Sequence, residues 1–565
     1  MTSLTLFVLC GLMHICRGHS EKFPPNFKFG AATSSYQVEG GWDADGVWSR
    51  ALTPSHCGRR PVSCSVPLMG LYYDDDESSH KEIRGKGQSI WDRFVHENRD
   101  KIANNATGDV AADSYHLWRE DVRIAAEMGL QFYRFSINWP RILPTGFVNE
   151  INEVGAKYYS DLIDALLAEG IEPVVTIYHW EMPVKILDLG GWANPLIVDW
   201  FGDFARVVFN LYADRVKTWI TINESVMFCD YFYNIGQFYK EPEFAPFLCN
   251  KHVLLAHATA YRIFEKEFRP KYEGRISLSN SVIWIEPASP KDKQLAELGR
   301  EHVTGRYSHP IFSKKGGWPH SIEKLMLSYS LKQGYNQSRL PAFTKDEIEF
   351  VKGTADFFAL NHYSTLMIRP AQQGESGKWF LSGSPELNAF LKNPPNASYG
   401  VAHDLPVYPT GIRRQLAWIK KRYGDIDILI TENGFSTTGY NLEDYDRINF
   451  MKKYLEQVLL SIKVDNVSVI GFGVWSLMDN FEWLSGYKHK FGLYEVDYEN
   501  EKRTRTPRAS AYFYACLIKN RSLHIAGECL HMYHSKFKRL VPNGTTITQN
   551  GGVLLTAVLL FFCKL

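Results

Sequence analysis

Two periodicities alternate along the chain. Short apolar runs rich in β-branched and aromatic residues are each followed by a longer stretch whose apolar positions share one helical face. The runs 27–36, 132–139, 173–178, 218–222, 275–284, 356–360, 427–430 and 467–475 are predicted as strands one to eight. Helices are predicted at 113–128, where Leu117, Val122, Ile124 and Ala125 are among the apolar positions, and at 156–168, 196–212, 252–268, 411–423, 445–462 and 509–519. Residues 291–350 are longer and mixed, as a helix with insertions would be. Eight strand–helix alternations predict a parallel sheet of the α/β class, and eight units predict its closure into a single (β/α)8 TIM barrel.

Barrel enzymes carry their chemistry at the C-terminal ends of the strands. Several strands here end in polar or aromatic clusters: Tyr178-His179-Trp180, Asn223-Glu224, Asn361-His362-Tyr363, Glu432-Asn433 and Trp475-Ser476. The seventh run, Ile428-Leu429-Ile430, reads as a buried strand, yet it continues into Thr431-Glu432-Asn433-Gly434. A turn with positive φ explains Asn433 and Gly434. It does not explain Glu432, because a carboxylate ending a buried strand costs desolvation energy unless it is paired or has a chemical task. Glu224 ends the fourth strand in the same way, and strands four and seven face each other across a barrel mouth. Two strand-end glutamates in one pocket are the minimum set for glycoside hydrolysis. The retaining form needs carboxyls about 5–5.5 Å apart, one ionised to attack and one protonated to release the leaving oxygen. Ordinary strand-end ion pairs are the competing reading of the same residues.

Composition narrows the field. The 565 residues are 45% hydrophobic and 22% charged, enough for one large domain or two ordinary ones. A net charge of +1 without a sustained basic face argues against a nucleic-acid partner. Aromatic residues make up 14%, with 15 Trp, which suits a core and also suits sugar stacking. There is no CxxC, and no His cluster has metal-site spacing. Gly471-Phe472-Gly473 lacks the third glycine and acidic follow-up of a dinucleotide site and reads as packing glycine. Neither metal nor cofactor is therefore expected. Cys229, Cys249, Cys516 and Cys529 could form disulfides, with the pairing left open by the sequence.

The ends carry targeting signals. The apolar run 4–16 is followed by Arg17-Gly18-His19-Ser20, and residues 1–19 are predicted as a signal peptide. Asn105, Asn336, Asn396, Asn466, Asn520 and Asn543 each open an Asn-x-Ser/Thr triplet. A secretory route is expected, with the catalytic domain lumenal or extracellular at the endoplasmic reticulum or cell-surface membrane. Residues 20–525 are assigned to the barrel and 526–552 to a juxtamembrane linker. The apolar segment 553–563 is predicted to anchor the chain to a membrane. At about 1.5 Å per residue it covers roughly half of a ~30 Å bilayer core, so a lipid-anchor signal and a shortened span both fit.

Four stretches resemble family 1 glycoside hydrolases in order: FPPNFKFGAATSSYQVEG at 23–40, YRFSINWPRILP at 133–144, TENG at 431–434 and WSLMDNFEW at 475–483. The resemblance spans roughly residues 23–520 and is greatest toward the lactase-like branch of the klotho and lactase-phlorizin hydrolase group. It implies a β-linked sugar substrate, Glu432 as nucleophile and Glu224 as acid and then base. It further implies that Asn223 bonds the sugar 2-hydroxyl and that Arg134 and Tyr363 support Glu432. Gln37, His179 and Glu482 would bind sugar hydroxyls, Trp483 would donate its N–H, and Trp475 would floor the site. Core packing is the plain alternative for the aromatics, and a buried ion pair for Arg134. Because klotho-group members serve as co-receptors, a catalytically weak barrel that binds a glycan or protein partner is the alternative function.

Two departures from the family pattern stand out. Ser225 follows Glu224 where the family usually has proline, which removes a backbone restraint and creates an Asn223-Glu224-Ser225 acceptor triplet. Residues 47–85 intervene between Trp42-Asp43-Ala44-Asp45-Gly46 and Lys86-Gly87, where the family runs almost directly on. That segment lacks periodicity and reads as a loop near the barrel mouth or as a retained intron.

Overall fold

The computed structural model describes residues 22–45, 85–232, 244–281, 283–375, 385–439 and 441–538. The predicted signal peptide, nearly all of the 47–85 insertion and the anchor segment lie outside these residues. Eight parallel strands close into a barrel: β1 (Lys28–Ala32), β2 (Phe132–Ser136), β3 (Glu172–Tyr178), β4 (Thr218–Asn223), β5 (Arg275–Ser281), β6 (Phe358–Asn361), β7 (Ile428–Asn433) and β8 (Val469–Trp475). Each pairs with its neighbours in sequence, and β8 pairs back onto β1 through Lys28↔Gly471 and Ala32↔Trp475.

The barrel expectation holds, but the seventh strand runs on to Asn433 and three others end early. The first strand stops at Ala32, and Ser35–Val38 is a helical turn rather than strand. The second stops at Ser136, because Pro140 opens a short helix, Trp139–Ile142, capped by the Asn138 side chain. The fifth stops at Ser281, and Trp284–Pro287 joins a separate three-stranded sheet with Thr365–Pro370 and Ala389–Lys392. Each of these runs carries apolar or aromatic residues past the strand end, and periodicity alone does not mark where such a run leaves the sheet.

The outer helices match the periodic stretches, including Ser114–Met128, Glu153–Ala168, Ile197–Tyr212 and Tyr445–Lys463. The helix expected at 252–268 starts earlier, at Ala245, and its regular part ends at Ile263. The mixed region contains four helical pieces between Lys293 and Lys332. Residues Gly527–Lys538 form a helix within the stretch expected as a linker. Among the described residues no helix is long and apolar enough to cross a membrane.

The core has two levels. Phe132, Val174, Ile220, Phe357, Ala359 and Leu429 fill the barrel interior. A larger cluster packs strands against helices and includes Trp139, Trp192, Trp219 and Tyr514. Tyr514, on the closing helix Ala509–Asn520, donates to the carbonyls of Gly30 (2.9 Å) and Phe472 (3.1 Å), tying that helix to the β1–β8 seam. Burial of these apolar faces fixes the strand ends, and so the mouth, in one geometry.

Candidate active site

Glu432 lies on β7 just past a register shift. Ile430 pairs with Leu360, but Glu432, not Thr431, pairs with Asn361. Such an irregularity re-aims a side chain, and it turns the carboxylate into the mouth. Arg134, fully buried on β2, ion-pairs with Glu432 Oε1. Tyr363 donates its hydroxyl to Oε2 at 2.7 Å. Arg134 also donates to Thr176 Oγ1 (3.0 Å) and Asn223 Oδ1 (2.7 Å), so its plane is fixed by three partners. Burial and the charge of Glu432 raise the Tyr363 phenol well above its ordinary value, which keeps it a donor.

The turn expected at Asn433-Gly434 is corrected. Neither residue has positive φ. Asn433 instead donates to the His362 carbonyl at 2.6 Å, across to the β6 end. A Cβ on Gly434 would lie 2.2 Å from the Trp475 carbonyl oxygen, so this glycine serves a close backbone approach. Gly471 and Gly473 are packing glycines as expected: added Cβ atoms would meet the Lys28 and Thr431 carbonyls at 2.9 and 2.8 Å.

Glu224 follows β4 with φ 50°, in the left-handed region. Another register shift, between Ile220 and Asn223, precedes it. Its Oε1 accepts from Asn361 Nδ2 at 2.7 Å, and among the described residues no cation forms an ion pair with it. Burial, and then the charge of Glu432, push its carboxyl up to about 8. Asn361 also donates to Asn223 Oδ1 (3.0 Å), while its own Oδ1 accepts from Thr431 (2.6 Å) and Ser279 (3.0 Å). The two glutamates are thus joined through Asn361, Asn223 and Arg134. Sequence reading marked the Asn361-His362-Tyr363 cluster but gave a role only to Tyr363. His362 turns away and pairs with Gln415.

The remaining site residues line the same mouth. His179 Nε2 faces Asn223 Nδ2 at 3.1 Å and therefore accepts, which leaves the proton on Nδ1. Burial and Arg134 lower its pKa well below the usual value, so the ring is neutral. Nδ1 is buried with no partner among the described residues, a donor that suits a ligand hydroxyl. Trp475 donates its N–H to Glu482 Oε1 at 3.0 Å. Burial raises the Glu482 carboxyl to about 8. Trp483 lies against Trp180 (ring centroids 4.5 Å) and Trp91 (4.6 Å). Gln37 uses both amide hydrogens internally, on Asn480 (2.8 Å) and the Phe481 carbonyl (2.9 Å), and its Oε1 accepts from Ser34 Oγ (2.8 Å), so what it can offer a ligand is the remaining lone pair of Oε1 rather than a donor.

Glu181 was not anticipated. Its fully buried carboxyl group accepts from Ser35 Oγ (2.5 Å) and the His179 N–H (3.0 Å), joining the Gln37 turn to the His179 loop. The signal was there in His179-Trp180-Glu181, a second carboxylate beside a strand-end cluster.

At the departures, Ser225 is buried and its hydroxyl has no partner among the described residues. Asn223 is 1% exposed with its amide committed to the site, so a glycan there is incompatible with this fold. Asn105, Asn336, Asn396 and Asn466 are exposed.

A closed parallel barrel with two buried strand-end glutamates, one held by arginine and tyrosine and one with no ion-pair partner among the described residues, is the constellation of a glycoside-cleaving enzyme. The profile described as "Glycosyl hydrolase family 1" matches residues 19–51 and 78–523, and the chain belongs to that family. The break in the match falls inside the 47–85 segment. Myrosinase 1 of Brevicoryne brassicae is 38% identical over 88% of this chain and 98% of its own length. Human lactase/phlorizin hydrolase is 37% identical over 90% of this chain, which spans 24% of that longer protein. A rice beta-glucosidase, solved as a mutant in a covalent complex with Glc, has a TM-score of 0.74 at 32% identity, covering 89% of this chain and 99% of that one.

Proposed function

We propose that the protein hydrolyses β-glucosides or β-galactosides with retention of anomeric configuration. Glu432 attacks the anomeric carbon as the glycosidic C–O bond breaks, and Glu224 passes its proton to the departing oxygen. Glu224, then a carboxylate, takes a proton from water, whose oxygen displaces Glu432 and frees the sugar. One observation carries this reading: a cation and a phenol grip Glu432, whereas Glu224 has neither and is pushed up to about 8. Environment thereby separates one nucleophile from one acid. Asn223 is assigned the sugar 2-hydroxyl, and Gln37, His179, Glu482 and Trp483 the remaining sugar contacts over the Trp475 floor. The covalent Glc complex of the rice relative supports the covalent step.

A 2-fluoro glycoside tests it. The expected result is one covalent sugar on a peptide containing Glu432, with loss of aryl-glycosidase activity in Glu432→Ala. Labelling elsewhere, or no turnover of any β-glycoside, overturns the reading. The binding-only alternative is disfavoured because both glutamates and their partners are in place. A secretory route is part of the proposal. It is supported by the Cys229–Cys249 and Cys516–Cys529 disulfides and by the exposed acceptor asparagines. Membrane attachment rests on 553–563 alone.

A further inference from the structure

Directly after Glu224 the backbone turns into helix, with Ser225 and Val226 leading into a wide helical turn. Proline is absent at Ser225, whose buried hydroxyl has no partner among the described residues. Glu224 itself holds a left-handed φ through two backbone hydrogen bonds, its N–H to the Ser279 carbonyl and its carbonyl from the Met227 N–H, both 2.9 Å. The wide turn, Met227–Phe232, starts three residues after Glu224 and is fastened from outside the barrel.

Cys229 is disulfide-bonded to Cys249 on the helix Ala245–Ile263. The next residue on each side enters one buried polar cluster. Asp230 accepts from Arg306 Nη1 (3.1 Å) and Tyr307 OH (2.7 Å). Asn250 donates to Tyr307 OH (2.6 Å) and accepts from Arg306. Arg306 Nε donates to the His302 carbonyl at 2.6 Å. Cys229-Asp230 and Cys249-Asn250 are therefore joined twice, once covalently and once through Arg306 and Tyr307. Tyr307 also packs in one apolar cluster with Val226, two residues from Glu224. None of these groups bonds Glu432 or its supports, which come from β2 and the β6 end.

We propose that Arg306 and the Cys229–Cys249 bridge position the acid/base carboxylate, substituting for the missing proline restraint. This role rests on Glu224 being the acid. A general acid works only within hydrogen-bond reach of the leaving oxygen, and small misplacements of a reacting group cost large factors in rate. Loosening the clamp therefore impairs proton donation while the nucleophile, held from elsewhere, keeps its reactivity.

Leaving-group dependence separates the two. The variants are Cys229→Ser/Cys249→Ser and Arg306→Ala, with Cys516→Ser/Cys529→Ser as a disulfide-loss control. Each is assayed on phenyl β-glucoside, which needs the proton, and 2,4-dinitrophenyl β-glucoside, which does not. The first two should lose about tenfold to a hundredfold in kcat/KM on the phenyl substrate and little on the dinitrophenyl one, with the control unchanged in this ratio. Parallel losses on both substrates, the mark of a merely structural role, or no loss on either, overturn the proposal. If these variants do not fold, Arg306→Lys keeps the charge but loses the planar fork, and its substrate ratio decides by the same criterion. Failure of the wild-type protein to cleave the dinitrophenyl glycoside overturns the glycosidase assignment itself and this role with it.

Discussion

Glu224 and Glu432 are the same functional group in two environments, and their difference sets the expected pH behaviour. The acid must carry its proton, so activity falls as pH rises through the Glu224 pKa. The basic limb of kcat/KM for phenyl glycosides should lie near pH 8, where burial and Glu432 place that group. Glu224→Gln should remove this limb and cost about 10²–10⁴-fold on substrates with poor leaving groups; a limb that survives the substitution would assign it elsewhere. Glu181 gives a stability prediction. Burial raises it from 4.5 to about 8, so the folded protein holds this proton more tightly than the unfolded chain. Its contribution is complete below about pH 4.5, shrinks as pH rises, and is gone above about 8. The fall in Tm between pH 5 and 8 should be smaller in Glu181→Gln than in wild type. At this scale residue identity was legible for Glu224, Glu432, Arg134 and Tyr363. Asn361 and Glu181 were not assigned because their roles consist of partners brought from β4 and the Gln37 turn.

Elements explain why the glutamates point inward. In β4 and β7 the apolar run predicts a strand, but the register shifts after Ile220 and Ile430 aim the terminal side chains. Strand β8 permits this by approaching β7 through glycine. Gly473→Ala would set a Cβ 2.8 Å from the Thr431 carbonyl, one residue from the nucleophile. About 1–3 kcal/mol of destabilisation is expected, read by urea unfolding, together with lower kcat. Unchanged stability would mean that the strands separate freely there. The strands expected to reach Tyr36, Trp139 and Trp284 end early because helical turns and a separate sheet take over those apolar residues. Composition gives both outcomes the same pattern.

Across the whole molecule, the residues flanking the 47–85 segment close on one another. Its flanks meet: Lys86 N–H donates to the Ala44 carbonyl at 3.0 Å, with Asp45 at φ 73° held by Tyr115 and Asn152. Deleting residues 46–84 would leave Ala44-Asp45-Gly85-Lys86, a four-residue turn already closed by that hydrogen bond and with Asp-Gly at its centre. The deletion variant should fold with a Tm within about 5 °C of wild type and retain glycosidase activity, since long loops add little closure entropy. Loss of folding would show that the segment contributes contacts to the barrel. By itself the sequence determined the eightfold alternation, the family and the two glutamates, because periodicity and short motifs are local properties of the chain. The pairing of the four cysteines was decided only in three dimensions. So were the different surroundings of Glu224 and Glu432, the internal commitment of the Gln37 amide and the joining of Cys229-Asp230 to Cys249-Asn250 behind Ser225. Each depends on which distant groups share a buried volume, and hydrogen bonding and desolvation there follow spatial neighbours rather than position along the chain.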